Sequence, residues 1–515
     1  MNSSRHRKIT QNIFLLLCLM GIIVFAVLQN KVDSKNDVLS NISIKTTDES
    51  ITITWNVPTK TNITKILIEI KDNNERIIKE VNVLPTSKKY KYIDGELNNS
   101  YIVTVNSLYK DGTKIENCSE KRLFLDLDDL PDLPTMNIIT KSGNDPTANH
   151  IEAEEGLWGA TSIDNEYEKG TMTYAAFGKN IESKLKIKIR GNTSSLGDKK
   201  PYKIVLDNAL DLTNSGSEYV HKEWVLLNTG TTLNNFLGEV IGKYTDVKWV
   251  SHEIYINVFL NGDYKGIYTL CEEVSQESSH NLVSKNGYII ENDAYFWNAN
   301  WIYFKLYDQI EQMGYTFKYP DIKSSEDTRI EEVYHYMQNA VDLSNENNQS
   351  AWERVDLNSV VSFMLARDLT NNYDAGGTNI YYFLNNFDSN NEDKMLKMGP
   401  LWDFDSAFRG SNYTNEHGFS EQHNSVYIPF VDNEDFKQSY IEKWYEISDG
   451  TLDYINDSLD ELYKNQREAI NQSRYLDSLR WTDGTYRSLE EEINLAKKWL
   501  SDQVNWLNEN VKELK

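Results

Sequence analysis

The stretch that decides the reading is Asp374-Ala-Gly-Gly-Thr-Asn379, Ile380-Tyr-Tyr-Phe-Leu384, a polar loop 385–393, Lys394-Met-Leu-Lys-Met398, then Gly399-Pro-Leu-Trp-Asp403-Phe-Asp405. Two apolar runs joined by an Asn/Asp-rich loop read as an antiparallel hairpin. In such a hairpin the start of the first strand lies beside the end of the second. Asp374 and Asn379 precede the first strand, while Asp403 and Asp405 follow the second. One hairpin therefore brings three carboxylates and a carboxamide to the same end. These are oxygen donors of the kind that Mg²⁺ or Mn²⁺ prefers. The spacing of Asp374 and Asn379 is not specific by itself, because Asn is abundant throughout the chain.

The residues leading into this hairpin read as a helix. Between Asp356 and Asn372, Leu357, Val360, Val361, Met364, Leu365 and Leu369 recur at helical spacing and are expected core positions. Upstream, Lys184-Leu-Lys-Ile-Lys-Ile-Arg190 alternates as a half-buried strand should. It runs into Gly191-Asn-Thr-Ser-Ser-Leu-Gly197, Lys199-Lys200-Pro201 and a second strand at Tyr202–Leu206. A turn rich in glycine and hydroxyls, followed by lysines, can cradle phosphate through backbone N–H groups and ammonium charge. It can equally be a solvated basic hairpin turn. Leu233–Tyr244 reads as a short helix in which Glu239 is either a partner for a strand lysine or a surface glutamate. Asn261-Gly262 between Glu253–Leu260 and Tyr264–Cys271 marks a further hairpin, which ends at Glu272. Beyond Asp405 the pattern is mostly helical, with Trp444, Trp481, Trp499 and Trp506 as packing anchors and no catalytic signature.

Toward the N-terminus, Arg5, Arg7 and Lys8 precede the apolar block Ile13–Leu28 inside an uncharged span of residues 9–30. A span of that kind is long enough to cross a bilayer, for which ~20 residues are needed. Residues 1–30 are expected to form a transmembrane signal anchor, with the body outside the cell membrane. A cleavable signal peptide cut after Val24-Phe-Ala26 is the rival. After a linker at 31–40, six strand signals between Ile42 and Leu108, separated by Asp/Asn/Gly turns, indicate a small β-sandwich over 41–128. The strand carrying Trp55 and the stretch Gly95…Tyr101-Ile-Val-Thr-Val105 resemble a fibronectin type III domain. Leu130-Pro-Asp-Leu-Pro134 then reads as a stiff joint.

The 515-residue chain carries a net charge of −25, which argues against a nucleic-acid binder and suits an acidic body with a basic partner. Sizeable cores are available from 31 Tyr, 17 Phe and 12 Trp. Its 3 Cys define neither a disulfide framework nor a Cys-type zinc site.

Protein kinases place an Asp base, an Asn five residues on and a metal-binding Asp-Phe-Gly aspartate in the same order. Here Asp-Phe-Asp stands for Asp-Phe-Gly, and no His-Arg precedes the base. Taken together, several stretches resemble the spore-coat protein H (CotH-type) kinase-like family. They are Arg190-Gly-Asn-Thr-Ser-Ser, Lys199-Lys200-Pro-Tyr, Asn261-Gly-Asp-Tyr-Lys-Gly-Ile-Tyr with Glu272, and Phe317-Lys-Tyr-Pro-Asp321. Phe363-Met-Leu-Ala-Arg367, Asp374 with Asn379, and Met398-Gly-Pro-Leu-Trp-Asp-Phe-Asp405 complete the set. The resemblance covers roughly residues 132–510 in order. It departs from many relatives at Asn234, where they carry Arg.

The resemblance implies an α+β, atypical protein-kinase-like domain that binds ATP and Mg²⁺ or Mn²⁺ and phosphorylates Ser or Thr of protein substrates, spore-coat proteins among them. It implies that Asp374 accepts the substrate proton and that Asn379, Asp403 and Asp405 hold metal. By the same resemblance Lys200 contacts phosphate, with Lys203 as the rival lysine, Arg190 lines the phosphate loop, and Glu272 ends the strand nearest the adenine pocket. A metal-dependent glycosyltransferase, for which Asp403-Phe-Asp405 supplies an Asp-x-Asp, and a non-catalytic coat or surface scaffold are the competing readings.

Overall fold

The computed structural model describes residues 38–514, apart from 48–49, 126–129, 299–301, 308, 373–377, 411 and 483. The chain divides into two compact units, Met1–Asp129 and Leu130–Lys515.

In the first unit, β1 (Ser40–Thr46), β2 (Ile51–Asn56) and β5 (Lys89–Tyr92) form one sheet. The other contains β4 (Ile77–Val83), β3 (Ile63–Lys71), β6 (Asn99–Tyr109) and β7 (Lys114–Phe124), in that order. Period-2 alternation puts Ile51, Ile53 and Trp55 of the first sheet into one core with Ile66, Ile68, Ile70, Val103 and Val105 of the second. Each such side chain contributes about 1.5–3 kcal/mol by leaving water. The described strands of this unit thus form two sheets that share one apolar core.

The second unit is built on a closed seven-stranded barrel. Its strands are β8 (Thr135–Thr140), β11 (Glu168–Ala176), β12 (Lys179–Ile189), β13 (Tyr202–Leu210), β14 (His221–Leu227), β15 (Glu253–Leu260) and β16 (Asp263–Glu272). A small pair, β9 (His150–Glu152) and β10 (Thr161–Ile163), stands apart from it. Pairing is antiparallel around the barrel except where β15 meets β8 in parallel. The alternation of 184–190 holds: Leu185, Ile187 and Ile189 point into the barrel core, with Tyr202, Ile204 and Leu206 opposite them. The β15–β16 turn is the two-residue Asn261-Gly262, with φ of 54° and 83°. Two consecutive left-handed residues match the twist of the flanking strands, which is why Asn-Gly occurs there.

A second sheet orders β18 (Tyr303–Phe304), β19 (Gly314–Tyr319), β17 (Tyr288–Asp293), β20 (Ile380–Leu384) and β21 (Lys397–Met398). Around it pack α1 (Asn234–Tyr244), α2 (Thr328–Asn345), α3 (Leu357–Thr370), α4 (Glu434–Trp481, 48 residues) and α5 (Leu489–Asn510). In α3 the expected positions Val360, Val361, Met364, Leu365 and Leu369 are buried, and Leu357 packs at the margin of the same core. The side chain of Asp356 caps its N-terminus by accepting from Ser359 N, and Asn371, left-handed at φ 39°, ends it. Trp444 and Trp499 anchor the C-terminal helices as expected. The indole of Trp481 instead donates to Lys265 O at 2.9 Å, tying α4 to the barrel.

The expected hairpin forms, with Tyr382 opposite Met398 and Phe383 opposite Lys397. Its second strand is shorter than the run Lys394–Met398. Residues Glu392–Lys394 take a single 3₁₀ turn, because the Asn391 side chain accepts from Asp393 N and competes with strand pairing.

The single-pass membrane placement needs correction. Among the described residues no helix is long and apolar enough to cross a membrane. The apolar block at 13–28, on which that expectation rested, lies outside the described residues.

Candidate active site

The hairpin end opens into a cleft of about 360 Å³ between the barrel and the second sheet. Asn379, Asp403 and Asp405 line it together with Arg190, the turn Gly191–Ser194, Glu273, Glu291, Asp293, Lys318, Tyr381 and Trp402. Asn379 Nδ2 donates to Asp403 Oδ2 at 3.4 Å. Asp374, the expected base, lies outside the described residues.

Backbone placement of these groups comes from three buried polar side chains. Arg367 of α3 donates to Asn379 O at 3.0 Å and to Trp402 O at 3.2 Å, so one guanidinium staples both hairpin flanks. Its plane sits over the rings of Phe363 and Phe404 at 5.1 and 5.3 Å. Asn234 Nδ2 donates to Asp405 O at 3.1 Å and Ala407 O at 3.2 Å, and Phe404 N donates to Asn235 Oδ1 at 3.1 Å. The start of α1 thus holds the loop that carries both aspartates.

The electrostatics are those of crowded carboxylates. Burial and then the neighbouring Asp405 push the Asp403 carboxyl up to about 7, against the pull of Arg190. Burial and Glu291 push Asp293 up to about 6, offset by Lys318. The Lys318 ammonium lies 2.5 Å from Glu291 Oε2 and 3.9 Å from Asp293 Oδ2. Burial opposes its charge, but these two carboxylates outweigh burial and raise its pKa. The other oxygen of Glu291 accepts from Asn379 N at 3.3 Å. The guanidinium of Arg190 sits 5.5 Å from the Trp402 ring centroid. A cluster of oxygen donors with two like charges side by side fits a hard dication, which would relieve the repulsion between Asp403 and Asp405.

The other expected residues lie differently. Lys200 is outside the cleft lining, and its ammonium donates to Ser195 O at 2.8 Å. Lys203 is held between Glu223 at 3.0 Å and Glu273 at 3.6 Å, so it reaches the cleft only through Glu273. Burial opposes its charge, yet Glu273 and Glu223 raise its pKa overall. Glu272 also stays out of the lining: its Oε1 lies 2.7 Å from His221 Nε2 and 2.9 Å from His280 Nε2. Among the described residues Glu239 is met not by a strand lysine but by His252 Nδ1 and Lys243 Nζ, which reach its Oε1 at 2.7 and 2.5 Å.

Glu273, Glu291, Asp293, Lys318, Arg367 and the Asn234–Asn235 pair carry no role in the sequence reading. Lys318 and Arg367 lie inside the motifs Phe317-Lys-Tyr-Pro-Asp321 and Phe363-Met-Leu-Ala-Arg367, and Asn234 stands out only as the departure from many relatives. An isolated charge in a strand has no periodic signature.

Among solved structures the chain is similar to titin kinase and its flanking domains, at 11% identity over 91% of this chain and 71% of that one, with a TM-score of 0.20. It is also similar to the twitchin kinase region of C. elegans, at 10% identity over 91% and 74%, with a TM-score of 0.19. At those scores neither likeness carries an argument about this fold. No curated protein matches the chain. The family model described as CotH kinase protein matches residues 187–507, which is more than half of the chain and includes Arg190, Asn379, Asp403, Asp405 and Lys318. The chain belongs to the CotH kinase family.

Proposed function

We propose that this protein is an atypical Ser/Thr protein kinase that moves the γ-phosphate of ATP to a protein hydroxyl. One observation carries the reading: Asn379, Asp403, Asp405, Arg190, Lys318 and the Gly191–Ser194 turn all line one cleft in a CotH-family chain. Asn379, Asp403 and Asp405 would hold Mg²⁺ or Mn²⁺, which when bound supplies positive charge against the phosphate oxygens. Arg190 neutralises phosphate charge, with Trp402 keeping its guanidinium in place. The Gly191–Ser194 turn offers backbone N–H groups to the same oxygens. Lys318 is a second cation in the cleft, already charge-balanced by Glu291, so it positions that carboxylate as well as the phosphate.

In the transfer the substrate hydroxyl oxygen forms a bond to the γ-phosphorus, the bond from that phosphorus to the ADP oxygen breaks, and the hydroxyl proton goes to a carboxylate base. The family resemblance assigns that base to Asp374. A net charge of −25 favours acceptor segments that are basic.

The test is γ-phosphate transfer by the full chain to serine- or threonine-bearing basic peptides, with Mg²⁺ and with Mn²⁺. Asp374→Asn should keep Mg-ATP affinity and lose ~10²–10⁴-fold in transfer, the contribution typical of a general base. Absence of ATP binding alongside saturable UDP-sugar binding would replace this reading with the glycosyltransferase.

A further inference from the structure

We infer that His221, Glu272 and His280 form a binding site for a zinc-class transition-metal ion, separate from the oxygen-donor cluster at Asp403. His221 opens β14 and Glu272 closes β16, and these strands pair with Trp224 opposite Glu272. His280 follows the 3₁₀ turn Glu277–Ser279 in a left-handed backbone, φ 47°. Two strand ends and one tight turn thus deliver three donors to one point.

The three donors converge. One donor atom from each residue lies within 4.8 Å of the others, and both imidazole Nε2 atoms address the same oxygen, Glu272 Oε1. The two rings stack with centroids 5.6 Å apart and 4° between their planes. Ligand bonds of about 2.0–2.2 Å put two donors on one tetrahedral ion about 3.4 Å apart. The observed 2.7 and 2.9 Å must therefore open slightly, and the partly exposed His280 has room to do so.

A second observation points to a ligand. The Glu272 side chain is only 2% exposed, yet among the described residues its Oε2 has no hydrogen-bond partner. A buried carboxylate oxygen without a donor is costly, and bidentate coordination by Glu272 would satisfy it. Two imidazoles with one carboxylate select Zn²⁺, Co²⁺, Ni²⁺ or Fe²⁺ over Mg²⁺, which takes oxygen ligands. The 25% exposure of the His280 side chain leaves a coordination position open to water. Because side chains alternate along a strand, Glu272 and Glu273 face opposite ways where β16 ends. The ion would therefore clamp the segment that presents Glu273 to the cleft.

The experiment strips the full chain with chelator and titrates it with Co²⁺ and with Zn²⁺ under excess Mg²⁺, which keeps the Asp403 site occupied. One equivalent of Co²⁺ should bind with visible d–d absorption, Zn²⁺ should displace it, and the melting temperature should rise. Asp403→Asn should keep this signal. His280→Ala and the near-isosteric Glu272→Gln should each weaken Zn²⁺ binding by more than the ~10–100-fold that loss of an outer-shell partner costs. No saturable Co²⁺ or Zn²⁺ binding to the unmodified chain would overturn the proposal. So would binding that survives in both variants, or that disappears in Asp403→Asn.

Discussion

Asn379 and Asp403 meet across the end of the hairpin, Asn379 Nδ2 donating to Asp403 Oδ2 at 3.4 Å, and both backbones are left-handed, with φ of 58° and 57°. Asn and Asp are the non-glycine residues that tolerate this conformation best. Backbone strain of this kind persists where the surroundings over-determine it, and Arg367 and the α1 asparagines do so here.

Asp403→Asn should abolish most metal-dependent nucleotide binding, because an amide cannot supply the charge a dication requires. The melting temperature should stay at or above that of the unmodified protein, since burial and Asp405 already disfavour the Asp403 charge. Titration calorimetry with Mg-ATP and thermal melts in chelator check both parts. Unchanged Mg-ATP affinity would remove Asp403 from the metal site.

Two cationic positions should separate cleanly. Arg190→Ala and Lys318→Met each remove a charge from the cleft lining and should weaken Mg-ATP binding by at least tenfold. Lys200→Ala loses one bond to a backbone carbonyl outside that lining and should change affinity by less than about threefold, because no ligand contact is removed. A large loss at Lys200 with none at Lys318 would reverse the assignment.

Gly238→Ala tests the seat of the aspartate loop. In an ordinary helix interior this change stabilises by roughly 0.5–1 kcal/mol. Here a Cβ would lie 2.3 to 2.5 Å from three carbons of the Phe404 ring, so the ring and its loop must move. Overpacking of this kind costs typically ~1–3 kcal/mol. We expect a lower melting temperature and a larger fractional loss of Mg-ATP affinity than of stability. A more stable variant with full affinity would show that Phe404 relocates without disturbing Asp403.

Glu239→Gln should reveal a pH-dependent contribution to stability. Burial opposes the Glu239 charge, but His252 and Lys243 hold its pKa below the ordinary value of 4.5, and Glu253 N also donates to it. A carboxylate with a lowered folded pKa stabilises fully above its unfolded value, and that contribution is lost as pH falls through the folded pKa. The variant should therefore be less stable by about 1.5–3 kcal/mol at pH 7, the range for hydrogen bonds to charged groups. The gap should close progressively below pH 4.5, as denaturant unfolding at several pH values would show. A gap that is constant with pH would mean that packing, not charge, sets the cost.

Local periodicity made much of this protein legible from its residues alone. Alternation at 184–190, the Asn261-Gly262 turn, the apolar spacing of α3 and the hairpin around 380–398 all depend on neighbours a few positions apart. The meeting of Asn379 with Asp403 followed from the hairpin, because antiparallel pairing makes strand ends adjacent. Which cations face the cleft depended instead on packing between segments far apart in the chain. Lys200 and Lys203 sit in or beside a basic turn, yet backbone carbonyl and carboxylate partners hold their ammonium groups outside the lining, while Lys318, more than a hundred residues on, enters through a different sheet. Glu272 and Glu273 are neighbours in sequence, and only the pleat of β16 and the positions of His221 and Lys203 send one to the histidines and the other to the cleft. Tertiary structure decided these points because a buried charge goes where a partner repays its desolvation, and those partners came from strands and helices that sequence spacing does not connect.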